Sequence, residues 1–94
     1  MSSAISIPAA QDALRRIGIH SPVTLPKLAH ALYKRSWGWE IQGLGGVTWV
    51  AVVARAPEDG ELYAIGHVEL EGYNLVPSLS QAFALALEWQ AAQK

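Results

Sequence analysis

The eight residues Val47-Thr48-Trp49-Val50-Ala51-Val52-Val53-Ala54 constrain this chain more than any others. They are β-branched, aromatic or small, and they are bounded on both sides by turn chemistry. Gly43-Leu44-Gly45-Gly46 precedes them, and Ala56-Pro57-Glu58-Asp59-Gly60-Glu61 follows. A run this short between such breakers reads as a strand, because a helix needs a longer uninterrupted segment. It is apolar on both faces, and a strand of that kind is ordinarily central and covered on both sides. The chain must therefore build a sheet around it.

The segments on either side supply that sheet. Trp37, Trp39 and Ile41 alternate with Gly38, Glu40 and Gln42, which gives a strand with one apolar face. The stretch Leu62 to Leu70 reads as a third strand, with Leu62, Ala64, Val68 and Leu70 on one face. Tyr63, Ile65, His67 and Glu69 take the other. Short turns join the three, so an antiparallel meander is expected. Ahead of it lie two helical segments. Pro8 to Ile17 repeats Ala10, Ala13, Leu14 and Ile17 at helical spacing, and Gly18 is its left-handed stop. A second helix begins at a Thr24 cap, with Pro26 in its first turn and a stripe of Leu25, Leu28, Ala29 and Leu32; Gly38 lies just past its end. Lys27, His30 and Lys34 gather on the opposite face. After a loop from Gly72 to Pro77, Ser78 and Gln81 form a capping box for a last helix from Leu79 towards Gln93. The expected fold class is α+β: a three-stranded antiparallel meander packed with helices in the order α-α-β-β-β-α. We expect helices on both faces of the sheet, with a dimer interface on one face as the alternative.

Composition narrows the function classes. Ninety-four residues leave room for one core, so a single α+β domain spanning 1–94 is expected. No apolar stretch approaches the roughly 20 residues of a membrane span. The first residues show no basic segment followed by an apolar run, so no secretory signal is expected, and a cytoplasmic location follows. Cysteine is absent, which removes disulfides, thiol catalysis and thiolate metal sites together. The charge is polarised along the chain: residues 1–35 carry five bases against Asp12 alone, and residues 57–94 carry six acids against Lys94. Such a chain attracts its other end, a second copy or a charged partner. A short chain without staples also gains from self-association, so a homodimer is among the expectations.

No constellation points to catalysis, and an enzyme is not expected. His67 and Glu69 share a strand face, as a base and its orienter or two metal ligands would, with Tyr63 beyond them. A third ligand would have to come from His20 or His30, and no spacing supports it; no metal or cofactor is expected. Ser36, Ser78 and Ser80 each sit at a helix boundary, where capping explains them. Gly43-x-Gly45-Gly46 joins two strands, whereas a phosphate-binding glycine loop leads into a helix. The α-β-β-β-α order invites comparison with double-stranded-RNA-binding domains. Those need lysines at the start of the final helix, where this chain has Ser78, Ser80 and Gln81, and Glu69 and Glu71 precede them.

What remains is binding. A protein partner is the leading expectation, met through the acidic residues Glu58, Asp59, Glu61, Glu69 and Glu71 or through Trp37 and Trp39. The two tryptophans have a competing use as core anchors, which the alternation with Ile41 favours. Nucleic acid is the alternative partner, gripped by Arg15, Arg16, Lys27, Lys34 and Arg35 with His30 and Tyr33 nearby. The strand Trp37-Gly38-Trp39-Glu40, the second strand centred on Trp49 and the closing helix Leu79-Ser80-Gln81-Ala82-Phe83-Ala84-Leu85-Ala86-Leu87 together resemble the phage α-β-α sandwich domain proteins over residues 24–92. That resemblance implies an origin in a phage or mobile element. It also implies a role through binding, as a regulator or inhibitor of a host complex, with no catalytic residues to carry across.

Overall fold

The computed structural model describes residues 5–70 and 74–93. Helices α1 (Ile7–Arg15) and α2 (Leu25–Lys34) come first. Strands β1 (Gly38–Leu44), β2 (Val47–Arg55) and β3 (Leu62–Glu69) follow, and helix α3 (Leu75–Ala92) closes the chain. The strands form an antiparallel meander with β2 in the middle, so the fold is α+β in the expected order.

Both N-terminal helices are closed at each end by local chemistry. The Ser6 hydroxyl accepts from the Ala9 amide and the Thr24 hydroxyl from the Lys27 amide, each satisfying a donor the helix leaves free. At the other ends the chain turns through a left-handed residue. Gly18 does this after α1, at φ +93°, with the Ile19 amide donating to the Leu14 carbonyl. After α2 the left-handed residue is Ser36, at φ +61°, and the Trp37 amide donates to the Leu32 carbonyl. Gly38, just past the helix, is the first residue of β1, in the strand that the alternation predicts.

The β1–β2 turn is tighter than the glycine count suggests. Gly43 and Leu44 belong to β1, and only Gly45 and Gly46 turn, at φ +63° and +80°. Two positive φ values in a two-residue loop match the right-handed twist of the flanking strands, and glycine adopts them without strain. At the other hairpin the Asp59 carboxylate accepts from the Glu61 amide, and Arg55 donates to the Gly60 carbonyl at 2.6 Å.

Strand β3 departs from simple alternation. Gly66 pairs with Val52 and Ala64 with Val53, so Ile65 is an extra residue in β3. That bulge reverses the faces of the first half of the strand. Tyr63 and Ile65 turn towards the helices, and Leu62 and Ala64 turn away, the opposite of the expected assignment. Beyond the bulge, Val68 and Leu70 face inward and His67 outward, as the alternation requires.

All three helices lie on one face of the sheet, which corrects the expectation of a two-sided sandwich. Leu14 of α1, Leu28 and Leu32 of α2, and Leu79, Ala82, Phe83 and Ala86 of α3 join Val50, Val52, Ala54 and Ile65 in one core cluster. The layering within that side explains the apolar character of α3. This helix packs against β2 and β3 and also beneath α1, so Ser78, Ser80, Ala82 and Ala84 are all buried. A helix sandwiched between layers is apolar nearly all round. It also begins a turn earlier than expected, after Asn74, with Pro77 in its first turn. Ser78 is therefore interior rather than capping, and Gln81 donates to the Ile5 carbonyl at 2.7 Å instead of closing a capping box. Ser80 donates to the Val76 carbonyl within the helix at 2.8 Å.

One contact sets the distance between α3 and the sheet. A Cβ built on Gly66 would lie 2.3 Å from the Ala82 carbonyl oxygen and 2.7 Å from the Ala86 nitrogen. Helix backbone therefore rests on strand backbone at this point, and only glycine permits it.

Candidate functional site

With the helices on one side, nothing among the described residues covers the other face of the sheet. Residues paired across antiparallel strands share a face, so the register writes this surface out in rows. Gln42, Trp49 and Glu69 form one row. Glu40, Ala51 and His67 form the next, and Gly38, Val53 and Ala64 the third; Arg55 and Leu62 end it. The middle is apolar, with Trp49 half-buried against His67 at a ring separation of 5.3 Å. Leu62 is 57% exposed, a large apolar side chain with nothing over it. Ala51 and Val53 are covered by their neighbours on the same face rather than by a helix.

A hollow of about 450 Å³ opens at one end of this face. It exists because β1 begins at Gly38 while β2 runs on to Arg55, and because Gly38 carries no side chain over Val53. Trp37, Trp39, Glu40, Arg55 and Leu62 form its walls.

A second concavity lies elsewhere, along the outer side of α2 and the connection from α1. This groove has a volume of about 550 Å³. His20, Lys27, His30, Lys34 and Arg35 line it above an apolar floor of Ile17, Ile19 and Ala31, and among the described residues no carboxylate contributes. Two of its cations are fixed in place. The Lys27 ammonium donates to the Pro22 carbonyl at 2.7 Å and the His20 carbonyl at 3.2 Å. The Arg35 guanidinium donates to the Gln90 side-chain oxygen at 3.2 Å and sits 5.6 Å above the Trp37 ring.

The residues singled out in the sequence distribute unevenly over these surfaces. Trp37 and Trp39 are core anchors first: both are half-buried, and Trp37 meets Phe83 edge-on with centroids 6.0 Å apart. Their outer edges reach the hollow. The acidic set does not converge. Glu58, Asp59 and Glu61 lie in the β2–β3 turn, and Glu69 ends β3 at the far side of the sheet, about 25 Å away for a strand of this length. Glu71 lies outside the described residues. The basic set splits as well. Arg15 and Arg16 both pair with Asp12 on α1, and the Arg15 guanidinium beside Asp12 holds that carboxyl below the usual aspartate range. Lys27, Lys34 and Arg35 share the groove. Tyr63 leaves the His67–Glu69 face through the bulge and packs edge-on against Trp89 of α3 at 5.9 Å. Among the described residues no three His, Asp or Glu side chains gather closely enough to hold a metal ion, and no helix is long and apolar enough to cross a membrane.

Sequence reasoning missed Trp49, Leu62 and Ala64 as surface, and His20 as a groove residue. The register of β2 was readable enough to group Trp49, Ala51 and Val53. Only the placement of the helices shows that this group is uncovered. Compared with family models, curated proteins and solved structures, the chain matches none.

Proposed function

We propose that this chain is a non-enzymatic protein-binding module whose working surface is the helix-free face of its sheet, and that a second copy of the chain occupies that face. The observation that carries the reading is the row Glu40–Ala51–His67 across the three strands. A two-fold axis running along β2 lays β1 of one copy over β3 of the other, so each Glu40 meets a His67. The same operation sets Gln42 against Glu69, gives the carboxylate a donor, and stacks Gly38 on Ala64, where small residues allow close approach. Trp49 lies near the axis and supplies the apolar contact there, while Ala51 and Val53 form the closed floor beneath it. Arg55 would meet its own copy, but its guanidinium is already drawn onto the Gly60 carbonyl of its own hairpin.

The bare face measures roughly 15 Å by 25 Å, which gives an interface near the low end of specific ones, roughly 1,000 Å² in total. Micromolar self-association is the expected scale. The regulator or inhibitor role implied by the phage-domain resemblance would then fall to the surfaces that the dimer leaves exposed.

Sedimentation velocity over about 1 to 300 μM tests this, spanning the affinity expected of such an area. The native chain should pass from monomer to dimer across that range. His67→Glu sets two carboxylates against each other and should leave a monomer; adding Glu40→Lys to it should restore the dimer. A native chain that stays monomeric throughout, or a dimer indifferent to both Trp49→Lys and His67→Glu, would refute the reading.

A further inference from the structure

We infer that the groove along α2 is a binding site for a small phosphate-bearing ligand of about nucleotide size, with the anion held by Lys34, Arg35 and His30 and the organic body lying on Ile17, Ile19 and Ala31. The inference rests on the groove alone and does not depend on the sheet face.

The groove concentrates one sign of charge. Among the described residues every titratable side chain lining it is a base or an imidazole. A concave surface with that lining attracts anions more strongly than the same charges spread on a convex helix. Its volume of about 550 Å³ falls in the range of small-molecule sites. The floor is apolar, so a ligand with a planar or aliphatic body gains burial that inorganic phosphate does not.

The donors are also held ready. Two of the three Lys27 protons are committed to the Pro22 and His20 carbonyls, which fixes its charge at the mouth of the groove. Arg35 is steadied by Gln90 and the Trp37 ring, with the rest of its guanidinium fork free for a bidentate contact to phosphate. Fixing these long side chains in advance lowers the ordering cost of binding. Lys34 makes no hydrogen bond or ion pair among the described residues and is free to close on the anion.

A compact anion fits better than a polymer. Lys27, His30 and Lys34 lie on one face of α2 and span eight residues, about 10 Å of helix. The bases that would extend this into a longer track are Arg15 and Arg16, and both are turned onto Asp12 outside the groove. A nucleic acid gripped through its backbone needs phosphate contacts repeated along its length.

The test is an amide-resolved NMR titration at constant ionic strength, with adenosine monophosphate, adenosine, inorganic phosphate and a single-stranded oligonucleotide as separate probes. The monophosphate should give saturable shifts confined to residues 17–20 and 27–37, about tenfold tighter than phosphate or adenosine alone, because each of those offers half of the recognition. Lys34→Glu should abolish the shifts and leave the rest of the spectrum in place; Arg15→Glu should change nothing. Shifts that fail to saturate by about 10 mM, or that sodium chloride reproduces, overturn the site. So does an oligonucleotide that binds more tightly than the monophosphate and depends on Arg15, since the groove is then one part of a nucleic-acid track. A monomeric native chain with intact monophosphate binding separates failure of the proposed dimer from failure of this site.

Discussion

Replacing Gly66 with alanine tests the packing argument at its tightest point. The added Cβ would meet the Ala82 oxygen at 2.3 Å and the Ala86 nitrogen at 2.7 Å, against about 3.4 Å for ordinary contact. Both offended atoms are helix backbone, so no rotamer change relieves the clash and α3 must retreat by about 1 Å. The retreat is opposed from behind, because α1 packs on the far side of α3. A gap of about that size forfeits a quarter to a half of the dispersion attraction between Val52, Ile65, Leu79 and Phe83, residues now in close contact. Overpacking of this kind costs about 1–3 kcal/mol with side chains alone and more against backbone. Alanine returns about 0.5–1 kcal/mol by restricting the unfolded chain. The net expectation is a loss of about 2–4 kcal/mol, a large fraction of the roughly 5–14 kcal/mol available to a domain of this length. Urea unfolding, followed by tryptophan emission and far-UV circular dichroism at one fixed protein concentration, measures it. Gly43→Ala is the control, since a Cβ there meets nothing within 4 Å; it should stay within about 0.5 kcal/mol of the native chain. A Gly66→Ala variant equally close to native, with an unchanged denaturant slope, would show that helix and strand backbones are not in contact.

Three further outcomes follow from local geometry. Ser36 holds φ +61° at the end of α2, so Ser36→Gly should raise stability by about 0.5–1 kcal/mol in the same urea experiment, and a loss would contradict the left-handed closure. Phe83 is fully buried and carries the Trp37 ring edge-on, so Phe83→Ala should cost about 3–5 kcal/mol and shift tryptophan emission to the red; an unchanged spectrum would place Trp37 elsewhere. The Asp12 carboxyl is held low by its hydrogen bond and charge pairing with Arg15, so its folded midpoint lies below its unfolded one. Its contribution is therefore present above the unfolded value and is lost as pH falls through the folded one. Carbon-detected NMR should find the Asp12 midpoint below about 3.9 in the native chain, and Arg15→Ala should raise it.

Which parts of this architecture could be read in the residues depends on how local their causes are. Thr24 and Gly18 act on the backbone within a few positions of themselves, and both behave as their chemistry predicts. The order of elements follows from the change of hydrophobic period near Trp37, again a local signal. The β3 bulge is different. Ile65 is extra only relative to its pairing with β2, so strict alternation assigned Tyr63 and Ala64 to the wrong faces. The start of α3 failed for a related reason. Ser78 and Gln81 match a capping box, but the buried surface under α1 extends the helix back to Leu75 and turns Ser78 inward. The face left bare was the least legible feature. Ala51 and Val53 are buried although no helix among the described residues lies on that face, so the composition of β2 does not tell a bare face from a covered one.

The placement of the two surfaces has a consequence for how they work together. Helices cover one side of the sheet, so a two-fold pairing through the bare side puts both helical layers on the outside of the dimer. Each α2 groove then faces solvent at opposite ends of the particle. A ligand in the groove would touch α2 and the α1–α2 connection; among the described residues α2 packs on β1 and on α3. Differential affinity is the only means by which a ligand shifts an association equilibrium. Coupling would follow if α2 moved β1 and with it Glu40, the β1 residue that would meet His67 across the axis of the proposed dimer. Arg35 and Trp37 join α2 to the start of β1 and mark the physical route for such a movement. If monophosphate tightens or loosens the dimer, Glu40→Gln should weaken the dimer without touching ligand affinity in the monomer, while Arg35→Lys should alter both. If dimerisation and ligand binding prove independent, the two surfaces are separate devices on a common core.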